Sequence, residues 1–169
     1  MNKHKGGLLR SFRFAFRGLY YAVKTQRNMR IHISMAVLVS VFGLLYRLAP
    51  LEWIALYFII TFVIVCEMLN TAVENCVDTA TKEYNKHAEI AKDVAAGAVV
   101  VAALLAVVVA AFLFLDSTRL AFAFETLLSN PVYTVGVGVL TLLLLWWVSR
   151  TNRETTNKKR TRSRNIREK

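Results

Sequence analysis

The chain has 169 residues, 56% of them hydrophobic, and carries a formal charge of +11. These properties segregate into long uncharged runs and basic segments, which marks a membrane protein with basic ends and excludes an ordinary soluble domain. The apolar runs do not alternate with period two as barrel strands would, so the fold class is all-α integral membrane, a single small helical bundle.

Residues 1–7 hold Lys3, His4, Lys5, Gly6 and Gly7 and are expected to be poorly ordered. From Leu8 to Lys24, Arg10, Arg13, Arg17 and Lys24 gather on one helical face, and Leu9, Phe12, Phe16, Leu19 and Val23 supply the other. This is an N-terminal amphipathic surface helix that rests in the interface and meets anionic membrane lipid. Thr25 to Arg30 is a linker, and the first span runs from Ile31 to Ala49. It begins after thirty strongly basic residues and is too long for a signal-peptide core, so no cleavable targeting segment is expected.

A turn at Pro50-Leu51-Glu52 leads to the second span, Trp53 to about Val73, with Trp53 and Tyr57 suited to the interface. Residues 74–93 are polar and mixed in charge, and the third span, Val94 to Leu115, is uncharged. Its small residues Ala95-Ala96-Gly97-Ala98 would let another helix approach closely. Asp116 to Asn130 is a weakly apolar connection, and Val132 to Val148 is a short fourth span closed by Trp146 and Trp147. Gly136-Val137-Gly138 within it has neither a preceding strand nor the rest of a nucleotide loop and reads as helix packing. Ser149 to Lys169 is a basic tail without apolar periodicity, expected to be disordered until it meets an anionic surface; it lacks the interleaved aromatics of a nucleic-acid binder. Cys66 and Cys76 lie about 15 Å apart along one helix, too far to bridge within one chain, and read as small buried hydrophobes.

The division is therefore 1–30, a basic interfacial segment; 31–115, a three-span core; 116–148, an outward connection and fourth span; and 149–169, a cytoplasmic tail. The basic residues place both termini and the 74–93 segment in the cytoplasm.

The most informative stretch is Cys66 to Asp78. At about 100° per residue, Glu67, Asn70, Glu74 and Asp78 project from one face of one helix. Glu67 lies at or inside the bilayer boundary, where an ionisable group costs about 2.5–3.5 kcal/mol even on insertion scales. A carboxylate there suits a general base that takes a proton from a lipid-borne alcohol. A second carboxylate, Glu74, stands about 10 Å nearer the water, where it could hold a hard cation with phosphate oxygens in its shell. Lys92-Asp93 enters the next span at the same depth, where a lysine neutralises phosphate charge. The array meets the needs of phosphoryl transfer, yet no Walker loop, kinase Gly-rich loop or HRD-like sequence is present.

Glu67-Met68-Leu69-Asn70-Thr71-Ala72-Val73-Glu74-Asn75-Cys76-Val77-Asp78, followed by Ala91-Lys92-Asp93-Val94-Ala95-Ala96-Gly97, resembles the prokaryotic diacylglycerol kinase and undecaprenol kinase family. The resemblance covers about residues 8–115, and Arg27 to His32 is closer in form to the Gram-positive undecaprenol kinase branch. It implies a homotrimer of three-span subunits with shared active sites, Mg²⁺ as cofactor and ATP as co-substrate. By the same resemblance Glu67 is the general base and Glu74 a metal ligand, with Asn70 and Asp78 completing the motif. Lys92 and Asp93 match nucleotide-contacting positions, Glu83 and Asn85 fall where a loop nears the nucleotide, and Arg10 stands where the family commonly has a phosphate-binding Lys. Gln26 departs from the pattern: it replaces a second metal-binding Glu, offering an oxygen without charge. Gly7 replaces a basic residue, and 116–169 has no counterpart in the minimal family member.

The resulting expectation is an ATP- and Mg-dependent lipid kinase acting on the hydroxyl of undecaprenol, with diacylglycerol as the other acceptor. The rival of another class is a catalytically silent membrane adapter in which Gln26 records lost metal chemistry. An ion pathway along Glu67 and Asp78 is weaker, because the third and fourth spans bring no intramembrane charge.

Overall fold

Six helices account for nearly all of the residues that the computed structural model describes, 7–81 and 83–167, with side chains described through Arg150. They are α1 (Gly7–Thr25), α2 (Arg27–Tyr46), α3 (Pro50–Ala80), α4 (Lys86–Leu113), α5 (Ser117–Ser129) and α6 (Pro131–Arg167). The looseness expected of residues 1–6 and the lipid contact expected of the tail's basic side chains beyond Arg150 lie outside the described residues; Gly7 already opens α1.

Four helices are long and apolar enough to cross a membrane, namely α2, α3, α4 and Pro131–Arg150 of α6, and the chain is a multi-pass membrane protein. In α1, Leu9, Phe12 and Phe16 are exposed and cover nothing within the chain, as an interfacial helix requires. The expected linker at 25–30 contracts to Gln26, whose extended backbone (φ −97°, ψ 123°) is the only break between α1 and α2. Neither Gly nor Pro occurs between Lys24 and Ile31, so helix resumes at once.

Four further expectations are corrected or refined. The 116–130 connection is helical: Asp116 caps α5 by accepting from the backbone N–H groups of Thr118 (2.9 Å) and Arg119 (3.1 Å). The tail is not irregular, since α6 continues to Arg167. Beyond Ser149 there is no Gly or Pro, and Arg, Lys and Glu extend a helix whose nucleation has already been met. The close helix approach expected at Gly97, Gly136 and Gly138 does not occur within the chain, because a Cβ there would meet nothing within 4 Å. Cys76 is exposed rather than buried, and Cys66 is half-buried.

The end of the bundle at the α2–α3 turn is locked by α5. Arg119 donates to both oxygens of Glu52 (2.9 and 2.8 Å) and to the carbonyl of Arg47 (3.0 Å), and its guanidinium lies 4.4 Å from the Tyr46 ring centroid. Arg47 closes α2 in a left-handed conformation (φ 58°) with its own guanidinium 4.4 Å from the Phe122 ring centroid. Beneath this, Tyr46, Leu48, Leu56 and Ala123 form the buried core cluster. Gly43 is required here: a Cβ would stand 2.8 Å from Leu48 Cδ1 and 3.0 Å from Trp53 Cη2.

Arg119→Ala removes the bidentate partner of Glu52 and the donor to the Arg47 carbonyl, and is expected to lower the thermal midpoint in detergent. Hydrogen bonds from the Thr118 hydroxyl and the Arg119 and Thr118 backbone hold the Asp116 carboxyl below its ordinary pKa of 3.8. A depressed carboxylate stabilises above the unfolded value and ceases to do so as pH falls through the folded one. Protection of the amides in the first turn of α5, taken as exchange relative to the intrinsic rate at each pH, should therefore fall on acidification below pH 3.8, and Asp116→Asn should remove that dependence.

Candidate active site

The buried residues of α3 form one stripe, Leu56, Ile59, Val63, Glu67, Asn70 and Thr71, at the three- and four-residue spacing of a single helical face. The stripe turns from apolar to polar without leaving the bundle interior. Glu67 is 1% exposed and Asn70 6% exposed, and Glu74, one turn beyond Asn70, is half-buried. The α3 helix holds this face in place through Thr71, whose hydroxyl donates to the Glu67 carbonyl at 2.9 Å.

The site begins as a short polar chain. Asn70 Nδ2 donates to Glu74 Oε1 at 3.2 Å, and Gln26 Nε2 lies 3.5 Å from Glu74 Oε2. The break between α1 and α2 thus delivers Gln26 to Glu74. One Glu67 oxygen (Oε2), Asn70 Oδ1 and Ser34 Oγ of α2 are buried without a hydrogen-bond partner among the described residues. Buried polar atoms ordinarily find partners, so these three mark where an additional polar group would be accommodated.

A second group lies at the α3–α4 loop. Asp78, Glu83, Asn85 and Lys92 line a cavity of about 280 Å³ together with Tyr84 and Glu89. Asp78 forms an ion pair with Lys92, joining α3 to α4. The Asn85 oxygen caps α4, accepting from the backbone N–H of His87 (2.9 Å) and Ala88 (3.3 Å). The Tyr84 hydroxyl donates to Glu89 at 2.7 Å, which pushes the phenol above its usual pKa. Arg10 and Asp93 are exposed and belong to neither group within the single chain.

Sequence periodicity missed several participants. Tyr21 of α1 donates to Asn75 Oδ1 at 3.0 Å and so ties the surface helix to α3. Between α2, α3 and α4 lies an apolar cavity of about 240 Å³ whose wall includes His32, Val39, Ile60, Val63, Ala103 and Val107. Its α3 side ends at Val63, one turn from Glu67. The signal was present in Ala103, Ala106 and Ala110, whose small side chains at helical spacing hollow out the α4 wall.

Among the described residues no three His, Cys, Asp or Glu side chains gather as a metal cage. The Glu74 carboxylate beside the Gln26 and Asn70 amides instead fits a hard cation that brings phosphate and water oxygens with it, as Mg²⁺ does. Either amide presents its oxygen to a cation after a flip, since amide N and O positions are assigned from the hydrogen-bond network.

The family described as prokaryotic diacylglycerol kinase matches residues 13–114, which end at the C-terminus of α4. An undecaprenol kinase from Bacillus subtilis is 37% identical over 106 residues, covering 63% of this chain and 86% of that protein. A diacylglycerol kinase from Synechocystis sp. is 45% identical over 109 residues, covering 64% of this chain and 62% of that protein. No solved structure matches the chain.

Glu67→Met replaces a buried carboxylate, one of whose oxygens is unpartnered among the described residues, by an apolar side chain of similar length. It should raise the thermal midpoint by about 2–4 °C, whereas a lower midpoint would show that Glu67 is satisfied by groups other than those seen here.

Proposed function

This chain belongs to the prokaryotic diacylglycerol kinase family, and on that premise we propose that it transfers the γ-phosphoryl group of ATP to the hydroxyl of undecaprenol at the cytoplasmic face of the membrane. The coarser activity, a lipid kinase with an alcohol acceptor, comes with the family. The observation that carries the finer reading is a buried carboxylate, Glu67, one turn beyond the wall of an apolar cavity, one turn before Asn70 and two turns before Glu74. The cavity takes the acceptor's hydrocarbon and the polar end of the stripe takes its hydroxyl.

In this mechanism Glu67 accepts the hydroxyl proton as the acceptor oxygen attacks the γ-phosphorus. The new O–P bond forms while the bond from the γ-phosphorus to the bridging oxygen breaks, and ADP leaves. Asn70 orients Glu67 and the hydroxyl. Glu74, with the oxygen of Gln26, would hold Mg²⁺, which neutralises phosphate charge when it arrives with the nucleotide. Asp78 holds Lys92 at the mouth of the loop cavity, where Lys92 meets phosphate, and Glu83 and Asn85 border the nucleotide. Arg10 and Asp93 stand apart from Glu67, which supports a homotrimer in which one copy completes the site of another. The three-span core at 31–115 carries Glu67, Asn70, Glu74 and Lys92, with Gln26 joining from the segment before it; both termini are cytoplasmic, and the basic tail meets anionic lipid.

Diacylglycerol is the second acceptor to consider, because the Synechocystis relative is named for it and an apolar cavity admits either hydrocarbon. Purified chain in mixed micelles, given Mg-ATP and each alcohol in parallel, is expected to phosphorylate undecaprenol in preference. Equal or greater turnover of diacylglycerol reverses the substrate assignment, and no product from either favours the adapter.

Glu67→Gln should lower turnover by about 10²–10⁴-fold, the usual contribution of a general base. Undiminished turnover would take Glu67 out of that role. Gln26→Glu sets a second carboxylate beside Glu74, so it should lower thermal stability without divalent cation and regain it with Mg²⁺. An indifferent response to Mg²⁺ would exclude the Gln26–Glu74 pair as the metal site.

A further inference from the structure

The fourth span lies outside the family match, yet one of its residues reaches the hinge that carries Gln26. Arg30, in the first turn of α2, makes three backbone contacts with two other helices. Its Nε donates to the carbonyl of Val23 (2.7 Å) and its Nη2 to that of Lys24 (2.9 Å), both in the last turn of α1. These are carbonyls that a helix end leaves without intrahelical partners. Its Nη1 donates to the carbonyl of Trp147 in α6 (3.2 Å), and the guanidinium sits 5.4 Å from the Trp147 ring centroid. A planar, five-donor guanidinium can serve all four contacts at once, which a lysine cannot.

We propose that Arg30 is a positioning residue through which the fourth span sets the angle of α1 at the Gln26 hinge, and thereby holds Gln26 against Glu74. The chain turns between α1 and α2 over one extended residue, Gln26, whose N–H bonds back to the Ala22 carbonyl at 2.9 Å. With so short a connection, any swing of α1 moves Gln26 directly. Arg30 resists that swing by gripping the α1 carbonyls, and Trp147 resists reorientation of Arg30. The α1 end of the hinge has few other restraints, since Ser11 to Tyr20 are exposed and Tyr21 supplies the bond to Asn75. The fourth span is thus a brace for the metal side of the site and takes no part in the chemistry. This rests on the reading of Gln26 and Glu74 given above.

Trp147→Ala keeps the backbone carbonyl and removes the ring, so it tests the brace without touching the site. Spin labels at Cys76 and a cysteine introduced at Ser11, with Cys66→Ala, report the α1–α3 distance in the full-length protein. The distribution should broaden in Trp147→Ala, return toward the parent in Trp147→Phe, and stay unchanged in the lipid-facing control Leu143→Ala. In kinetics, Trp147→Ala should raise KM for Mg-ATP about two- to five-fold with kcat little changed, the scale of one cation–π contact. Arg30→Ala should raise it further, and adding Trp147→Ala to that variant should change nothing more, because the two residues act as one unit. An unchanged distance distribution in Trp147→Ala, or additive effects in the double variant, overturns the proposal. A broadened distribution with unaltered KM upholds the brace at α1 but overturns its link to the site, and then the Gln26–Glu74 reading is what fails.

Discussion

Everything in this bundle depends on α3 keeping one face inward while its surroundings change from hydrocarbon to water. Leu56, Ile59 and Val63 make that face an ordinary membrane core, and Glu67, Asn70 and Glu74 continue it without rotation. A carboxylate placed on such a stripe cannot snorkel as a long lysine does, so its charge must be met by polar atoms supplied nearby. Asn70 and Gln26 meet Glu74 in this way, while an oxygen of Glu67 remains open toward the interior. The same helix therefore brings together an apolar cavity and a buried carboxylate, the two features on which the proposed transfer to a lipid-borne alcohol rests.

The spans and the acidic face were legible because both are periodic. An uncharged run of bilayer length admits few alternatives, and four polar residues at a helical spacing share a face whatever packs against it. What could not be read was which groups oppose that face. Gln26 meets Glu74 across 48 positions of sequence, and Tyr21 meets Asn75 across 54. Neither pairing leaves a periodic trace. Lys92 was legible as a charge entering a span, but its pairing with Asp78 depends on the register of α3 against α4, which composition does not encode. The helicity of α5 and of the tail was hidden by their mixed polarity. Asp116 capping the one and uninterrupted extension of α6 in the other decide those segments locally, with no amphipathic signal needed.

The helices beyond the family match attach at the two ends of α2. At one end α5 folds over the α2–α3 turn, and the bidentate Arg119–Glu52 pair stacked on Tyr46 replaces water that would otherwise solvate those backbone groups. At the other end α6 meets Arg30 beside the hinge. Between these anchor points no residue of α6 from Pro131 to Arg150 is fully buried, and its contact with α2 runs along a half-buried stripe, Val137, Leu140, Leu144 and Trp147. A span added to a three-span core in this manner can restrain the core's ends while leaving its interior unaltered.

The most direct test of the account is a determined structure with a non-hydrolysable ATP analogue, Mg²⁺ and a lipid alcohol bound. The acceptor hydroxyl should lie about 2.6–3.2 Å from a Glu67 oxygen, with its hydrocarbon in the cavity bordered by His32, Val63 and Val107. A hydroxyl held elsewhere, with Glu67 facing only protein, would contradict it.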